Sequence, residues 1–330
     1  MGVGEFLSGG VADVRRTARG FRWGRRGQVP RSAEPYVLPQ HSTVFDTGWA
    51  RRPAVMAARE IAQKVGLEPL FRSQVHTRVE GLDVLERLDG PVIFVANHAS
   101  HLDTPLLLLS LPDAWRRKTA VAAAADYFFD TWWKAVGSSL VFNTFPIDRR
   151  GGSMAATPGE VLADGWSLVV YPEGTRSRDG WLQGFRMGAA FLAQTHDVPV
   201  VPVAHRGTFA AMPRGAGWPS RTDGRRREVT VRFGEPLRAA EGESVREFAP
   251  RIKDAVAALL DEERTSWYEA QLRRSAGTTP DPSGPDVAAW RRVWEQTEPV
   301  AGDAVGRGRP TPWDRVRTEA RVRAKAALKR

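Results

Sequence analysis

Val92-Ile93-Phe94-Val95-Ala96-Asn97-His98-Ala99-Ser100-His101-Leu102-Asp103-Thr104-Pro105 is the stretch whose reading decides the fold. Its first five residues form an uninterrupted apolar run of strand length, as expected of a strand buried on both faces of a parallel sheet. Pro105 suits the first turn of a helix and Asp103 or Thr104 suits its N-cap, so the polar residues between mark a strand-to-helix turn. That turn matters for chemistry. Residues five apart on a continuous helix point to different faces, so His98 and Asp103 meet only if the chain turns between them. An imidazole with an ordinary pKa near ~6.5 is suited to take a proton from a hydroxyl at neutral pH once a partner fixes its tautomer and direction, and a carboxylate is such a partner.

Working outward, short apolar runs alternate with helical patterns from Val75 onward, which predicts an α/β sheet with helices on its faces. Val92–Ala96, Ser167–Tyr171, Val200–Val203 and Val229–Phe233 read as strands. Pro105–Leu111, Met187–Thr195 and Ser244–Glu263 read as helices, the last opened by the capping box Ser244-x-x-Glu247. Upstream, Pro53 starts a helix in which Ala58, Ile61, Ala62 and Val65 share a side, with Gly66 as its stop; the stripe is expected to pack on the core, the commoner outcome, or to lie on a membrane. Residues 1–45 are rich in Gly and Arg, from Arg15 and Arg16 to Arg31. After about Arg274 the run Thr278-Thr279-Pro280-Asp281-Pro282-Ser283-Gly284-Pro285 reads as a linker, and Trp313 to Arg330 as a basic helix with a thin apolar side.

Three further blocks follow the first. They are Phe145-Pro146-Ile147-Asp148-Arg149-Arg150, then Val169-Val170-Tyr171-Pro172-Glu173-Gly174-Thr175-Arg176-Ser177, then Val198-Pro199-Val200-Val201-Pro202-Val203. In order and spacing the four blocks resemble the motifs of the phospholipid/glycerol acyltransferase family, 1-acylglycerol-3-phosphate acyltransferases among them, over about Val75 to Gly234. The third block differs from the family's Phe-Pro-Glu-Gly-Thr-Arg-Ser only at Tyr171. In the second, the family's arginine maps to Arg149, with Asp148 standing where an apolar or small residue is common.

The resemblance implies transfer of a fatty acyl group from a thioester to the free hydroxyl of a lysophospholipid acceptor, here 1-acylglycerol-3-phosphate, giving phosphatidic acid. Glycerol-3-phosphate or another lysolipid is the alternative acceptor, and a membrane-surface lipid-binding protein is the non-enzymatic alternative. It implies a mostly parallel mixed sheet flanked by helices, with basic N- and C-terminal extensions. The expected division is a basic segment 1–45, a helical segment 46–74, an acyltransferase domain 75–274, and a linker with a basic tail 275–330. His98 is the expected general base and Asp103 its orienting partner. Arg149 and Arg176 are expected to grip the phosphate, since guanidinium groups bind it in two places. Gly174 and Thr175 join them, and Glu173 is expected to accept a glycerol hydroxyl or to orient an arginine. Pro202 is a candidate wall for the acyl chain.

The chain has no cysteine and no Gly-x-Ser-x-Gly elbow, so direct transfer in a ternary complex is expected rather than an acyl-enzyme. No bound cofactor is expected; acyl-CoA or acyl carrier protein is the co-substrate. His98-x-x-His101-x-Asp103 lacks the rest of a metal pattern, so no metal is expected, and His41, His76, His196 and His205 read as loop or packed histidines. The 48 Lys and Arg against 38 Asp and Glu give a net charge of +10. That balance suits an anionic membrane surface or an acidic carrier protein. The arginines of Pro213–Arg232 come without a nucleic-acid-binding motif, so no nucleic-acid partner is expected. Neither a secretory signal nor a run of about 18 apolar residues is present. The expectation is a peripheral protein on the cytoplasmic side of a membrane; composition leaves its oligomeric state open.

Overall fold

The computed structural model describes residues 46–124, 131–147, 158–222 and 224–297. The N-terminal segment, Arg149 and the tail from Trp313 lie outside the described residues.

In chain order the helices are α1 (Pro53–Ile61), α2 (Glu68–Gln74), α3 (Asp103–Ser110), α4 (Asp113–Arg117), α5 (Trp132–Phe142), α6 (Pro158–Ala163), α7 (Gly188–Thr195), α8 (Thr208–Ala211), α9 (Val245–Glu262), α10 (Trp267–Ser275) and α11 (Ala289–Thr297). The strands are β1 (Val75–Glu80), β2 (Ile93–Ala96), β3 (Thr119–Ala124), β4 (Thr144–Ile147), β5 (Ser167–Val170), β6 (Val200–Arg206), β7 (Arg221–Thr222) and β8 (Arg225–Phe233). They form one sheet in the order β1-β8-β6-β2-β5-β3-β4, with β7 paired to β8. From β6 to β4 all neighbours are parallel. β1 and β8 run parallel to each other, and β8 meets β6 antiparallel. The fold is therefore a mostly parallel mixed α/β sheet flanked by helices.

The central strand explains its own apolar run. Side chains alternate along a strand, so Phe94 and Ala96 join one buried cluster with α3 residues Leu106 and Leu107, while Ile93 and Val95 join another with Phe248 and Ile252 of α9. With both faces covered there is no polar alternation to see. The capping box of α9 is formed, Ser244 N–H donating to Glu247 Oε2 at 2.9 Å.

Three sequence expectations are corrected. The helix begun at Pro53 does not stop at Gly66; it continues through a wide turn at Ala62–Leu67 into α2. Nor does its apolar stripe pack, for Ile61 and Val65 are exposed. The buried residues are Arg59 and Gln63. The Arg59 guanidinium donates to Ala50 O, Ser139 O and Leu140 O, and Gln63 Nε2 donates to Val141 O at 2.7 Å. Leu140 O and Val141 O lie in the last turn of α5, where the helix supplies no partner, and these two polar side chains provide one; Ser139 O also accepts Asn143 N–H at 3.1 Å. Third, the Pro-rich stretch at 278–285 is packed. Leu182 N–H donates to Pro282 O, and Trp181 Nε1 donates to Arg292 O. Gly284, at φ +86°, lies where an added Cβ would be 2.3 Å from the Trp181 ring. That close approach is what its composition provides.

Candidate active site

Two loops leave the same end of the sheet and interlock. One follows β2 and runs from Asn97 into α3; the other follows β5 and holds Tyr171–Ser177. Asn97 continues the sheet with its side chain: Nδ2 donates to His205 O at 3.0 Å and Oδ1 accepts from His205 N at 2.7 Å. His98, next along, is held by both of its backbone groups. Its N–H donates to Glu173 Oε1 at 2.5 Å, and its carbonyl accepts from Ser177 N at 2.8 Å.

The turn then brings Asp103 back to His98. Nδ1–H donates to Asp103 Oδ2 at 2.9 Å, and the same oxygen accepts Ala99 N–H at 2.7 Å and Ser100 N–H at 2.8 Å. A carboxylate oxygen only accepts, so this contact fixes the proton on Nδ1 and leaves Nε2 as the basic atom. Asp103 is wholly buried while the His98 side chain remains 18% exposed. Burial pushes the Asp103 carboxyl up, but the hydrogen bond from His98, nearby His205 and the Ser100 amide hold it below the ordinary carboxylate range. Tyr171 completes the seat. Its ring stacks on His98 with centroids 4.1 Å apart, and its hydroxyl accepts from Thr104 at 3.1 Å.

The third block surrounds this pair. Glu173 is buried, with Oε1 on His98 N–H and Oε2 on Gln183 N–H at 3.0 Å. Both oxygens thus bind backbone amides, where the sequence reading expects a glycerol hydroxyl or an arginine. Burial pushes its carboxyl up to about 8 against the pull of those two donors. Gly174 has φ +71°, and a Cβ there would lie 2.9 Å from Arg186 Nε. Its backbone freedom serves the approach of that guanidinium. Thr175 is exposed and Arg176 half-buried. His101 lies within reach of Arg176. Burial first, then the Arg176 charge, lowers its imidazole to about 4, so it is neutral at physiological pH.

The structure thus brings His98, Asp103, Glu173, Gly174, Thr175 and Arg176 together. Pro202 stands apart. It lies buried in mid β6, with Gly234 and Leu259 of α9 close together at its ring, which places it in the core under α9. His205, read from sequence as a loop or packed histidine, is buried behind the turn with Nδ1 3.3 Å from Asn97 O, and burial lowers its pKa. Tyr171, Asn97, Gln183 and Arg186 also shape the site. Of these only Tyr171 and Asn97 fall inside the motif blocks; the others are set by tertiary contact. Among the described residues no group of three or more His, Asp or Glu is arranged to hold a metal ion, and no helix is long and apolar enough to cross a membrane.

The site is thus a His–Asp pair at the strand ends of a mostly parallel sheet, stapled to a Glu-Gly-Thr-Arg loop. The Acyltransferase family model matches residues 76–206 of the chain. A chloroplastic 1-acyl-sn-glycerol-3-phosphate acyltransferase of Brassica napus is 33% identical over 153 residues, covering 46% of this chain and 42% of that one. A putative 1-acyl-sn-glycerol-3-phosphate acyltransferase of Caenorhabditis elegans is 28% identical over 218 residues, covering 63% and 72%. Against the plant and algal relatives the match spans about two fifths of their length. A crystal structure of the 1-acyl-sn-glycerophosphate acyltransferase of Thermotoga maritima superposes with a TM-score of 0.49 at 26% identity, covering 67% of this chain and 84% of that one.

Proposed function

We propose that this protein acylates 1-acylglycerol-3-phosphate to phosphatidic acid, with an acyl-CoA or acyl carrier protein thioester as donor and His98 as general base. The observation that carries the reading is the His98 Nδ1 to Asp103 Oδ2 contact of 2.9 Å, which directs a basic Nε2 outward from a fully buried carboxylate. In the reaction Nε2 takes the proton of the acceptor hydroxyl while that oxygen attacks the thioester carbonyl. The imidazolium is stabilised by Asp103 and returns the proton to the departing thiolate as the tetrahedral oxyanion collapses. No acyl-enzyme is needed, and the chain holds no cysteine to form a thioester with it.

The acceptor phosphate is assigned to Arg176 with Arg149, the latter on sequence pattern alone. Permanently charged, two-pronged guanidinium groups suit a phosphate monoester. Neutral His101 beside Arg176 adds a hydrogen-bonding group without a charge that would compete for the anion. Glu173 is assigned a positioning role: bound to the His98 and Gln183 amides, it sets the angle between the two loops rather than touching the ligand.

The test is thiol release from a long-chain acyl-CoA, with and without 1-acylglycerol-3-phosphate, for the wild type and His98→Ala, with the product identified by mass. Acceptor-dependent release that gives phosphatidic acid and disappears in His98→Ala supports the reading. Acceptor-independent release of free fatty acid would replace it with a hydrolase. No release from either acyl-CoA or acyl carrier protein would favour a lipid-binding protein.

A further inference from the structure

The end of the sheet that carries the dyad also carries a surface that the proposed chemistry leaves unused. β8 pairs Thr230 with Arg206, the last residue of β6, and then extends on to Arg225. At about 3.4 Å per residue the β7–β8 hairpin projects about 15 Å beyond the end of β6. β6, β2 and β5 are parallel, so this is the end at which Ala96 leads into His98 and Val170 into Tyr171.

The hairpin and the loop before it carry Arg214, Arg221, Arg225, Arg226 and Arg227. Among the described residues, the hydrogen bonds of Arg221, Arg226 and Arg227 go to neutral acceptors. Arg221 reaches Ser73 O and Gly224 O, Arg226 reaches Arg72 O, and Arg227 reaches Ser220 Oγ and Thr297 O. Among the described residues none of the five forms an ion pair, whereas Arg232, on the same strand, pairs with Glu80 and Glu263. The sequence from Pro213 to Phe233 sets only Asp223 and Glu228 against them. An open cleft of about 560 Å³ lies alongside, lined by His76, Arg221, Arg225, Arg226 and Glu228 among others.

Tryptophans flank this charge. α11 packs on α8 and meets the hairpin where Thr297 O accepts from Arg227. It is pinned by Arg292, which donates to Asp179 Oδ2 at 2.8 Å and to Pro285 O and Ser283 O at 2.6 Å each. Trp290 and Trp294, one turn apart, share the opposite face and are 71% and 53% exposed. Trp218, 57% exposed, stands in the loop before β7. Indoles prefer the boundary between lipid headgroups and acyl chains, and guanidinium groups beside them bind anionic headgroups. A carrier protein with an acidic face would require the arginines and would leave the indoles without a use.

We infer that the arginine hairpin and the Trp290–Trp294 face of α11 form a docking surface for an anionic lipid bilayer. Docking there turns the dyad's end of the sheet toward the membrane. The benefit to catalysis rests on the acyltransferase reading; the docking itself does not.

The experiment is co-sedimentation of the full chain with vesicles of phosphatidylcholine, alone or with roughly a third phosphatidylglycerol, for the wild type, Arg225→Ala/Arg226→Ala, Trp290→Ala/Trp294→Ala and the control Arg246→Ala. Arg246 is an exposed cation at the start of α9, at the other end of the sheet. Each basic residue at a lipid surface contributes about fivefold, so the arginine pair should lower partitioning to the anionic vesicles about 25-fold, and loss of the tryptophan pair should lower it as well. Arg246→Ala should bind as the wild type does, and urea midpoints should match throughout. Unchanged partitioning of both pairs overturns the inference, since other segments then carry binding. So does loss of binding to an acidic carrier protein with vesicle binding intact. Wild-type acyl transfer to detergent-dispersed acceptor, measured in parallel, reports on the acyltransferase reading separately.

Discussion

Replacing Asp103 by asparagine separates the charge of the dyad from its geometry. Asp103 Oδ2 accepts from His98 Nδ1, Ala99 N and Ser100 N, whereas Oδ1 is buried with no partner among the described residues. Asparagine seated with its carbonyl oxygen at the Oδ2 position keeps all three contacts and the His98 tautomer. What it loses is the attraction between carboxylate and imidazolium as the proton moves. Unit charges about 4 Å apart at an effective dielectric constant of about 20 attract by about 4 kcal/mol, or close to 10³ in rate. The variant should therefore show kcat lowered about 10³-fold with KM for the acceptor nearly unchanged, because the lost interaction exists only in the transition state. The assay is acceptor-dependent thiol release at saturating acyl donor. The folded carboxyl titrates below its ordinary 3.8, so the ionised group adds stability above that pH which is lost as pH falls through the folded value. Urea midpoints for the wild type should accordingly exceed those of Asp103→Asn at pH 7 and converge with them in acid. A folded Asp103→Asn protein that keeps more than about a tenth of wild-type kcat would refute the reasoning, because a base needing no charged partner does not gain 10²–10⁴ from this dyad.

The remaining predictions concern the supports of the site. Glu173 holds its proton in the folded state up to about 8 while an unfolded glutamate loses it near 4.5, so wild-type stability should decline as pH rises across that interval. Glu173→Gln, which does not titrate, should flatten the decline; parallel stability curves for the two proteins would contradict a buried, titrating Glu173. Gly174→Ala places a Cβ 2.9 Å from Arg186 Nε at φ +71°, which should cost about 1–2 kcal/mol in the backbone and raise the acceptor KM, read from thermal denaturation and initial rates. Arg59→Met removes the donor to Leu140 O at the end of α5 and to Ala50 O and should lower stability by at least about 2 kcal/mol, while Val65→Lys on the exposed stripe should change it by less than about 0.5 kcal/mol. Equal losses for that last pair would show that α1 docks by its apolar side.

The sequence by itself determined the centre of the molecule. Val92–Ala96 is apolar because both faces of β2 are covered, and the turn from Asn97 to Pro105 is written in local chemistry: a histidine, a carboxylate five residues on, and a proline for the first helical turn. Such signals survive in one dimension because their partners lie within one turn of chain. Tertiary structure decided the rest. Arg59 and Gln63 are interior because the carbonyls they satisfy belong to α5, some 80 residues away, and no periodicity within α1 encodes that need. The same holds for Glu173. Its type and neighbourhood suggest a ligand contact, yet its oxygens bind the His98 and Gln183 amides, one of them 75 residues distant. A proline-rich stretch reads as a linker until Trp181 and Asp179 are seen to hold it through Gly284 and Arg292. Hydrophobic patterning and turn chemistry are properties of neighbouring residues. Where a polar side chain finds its partner depends on which distant backbone groups the finished fold leaves in need of one.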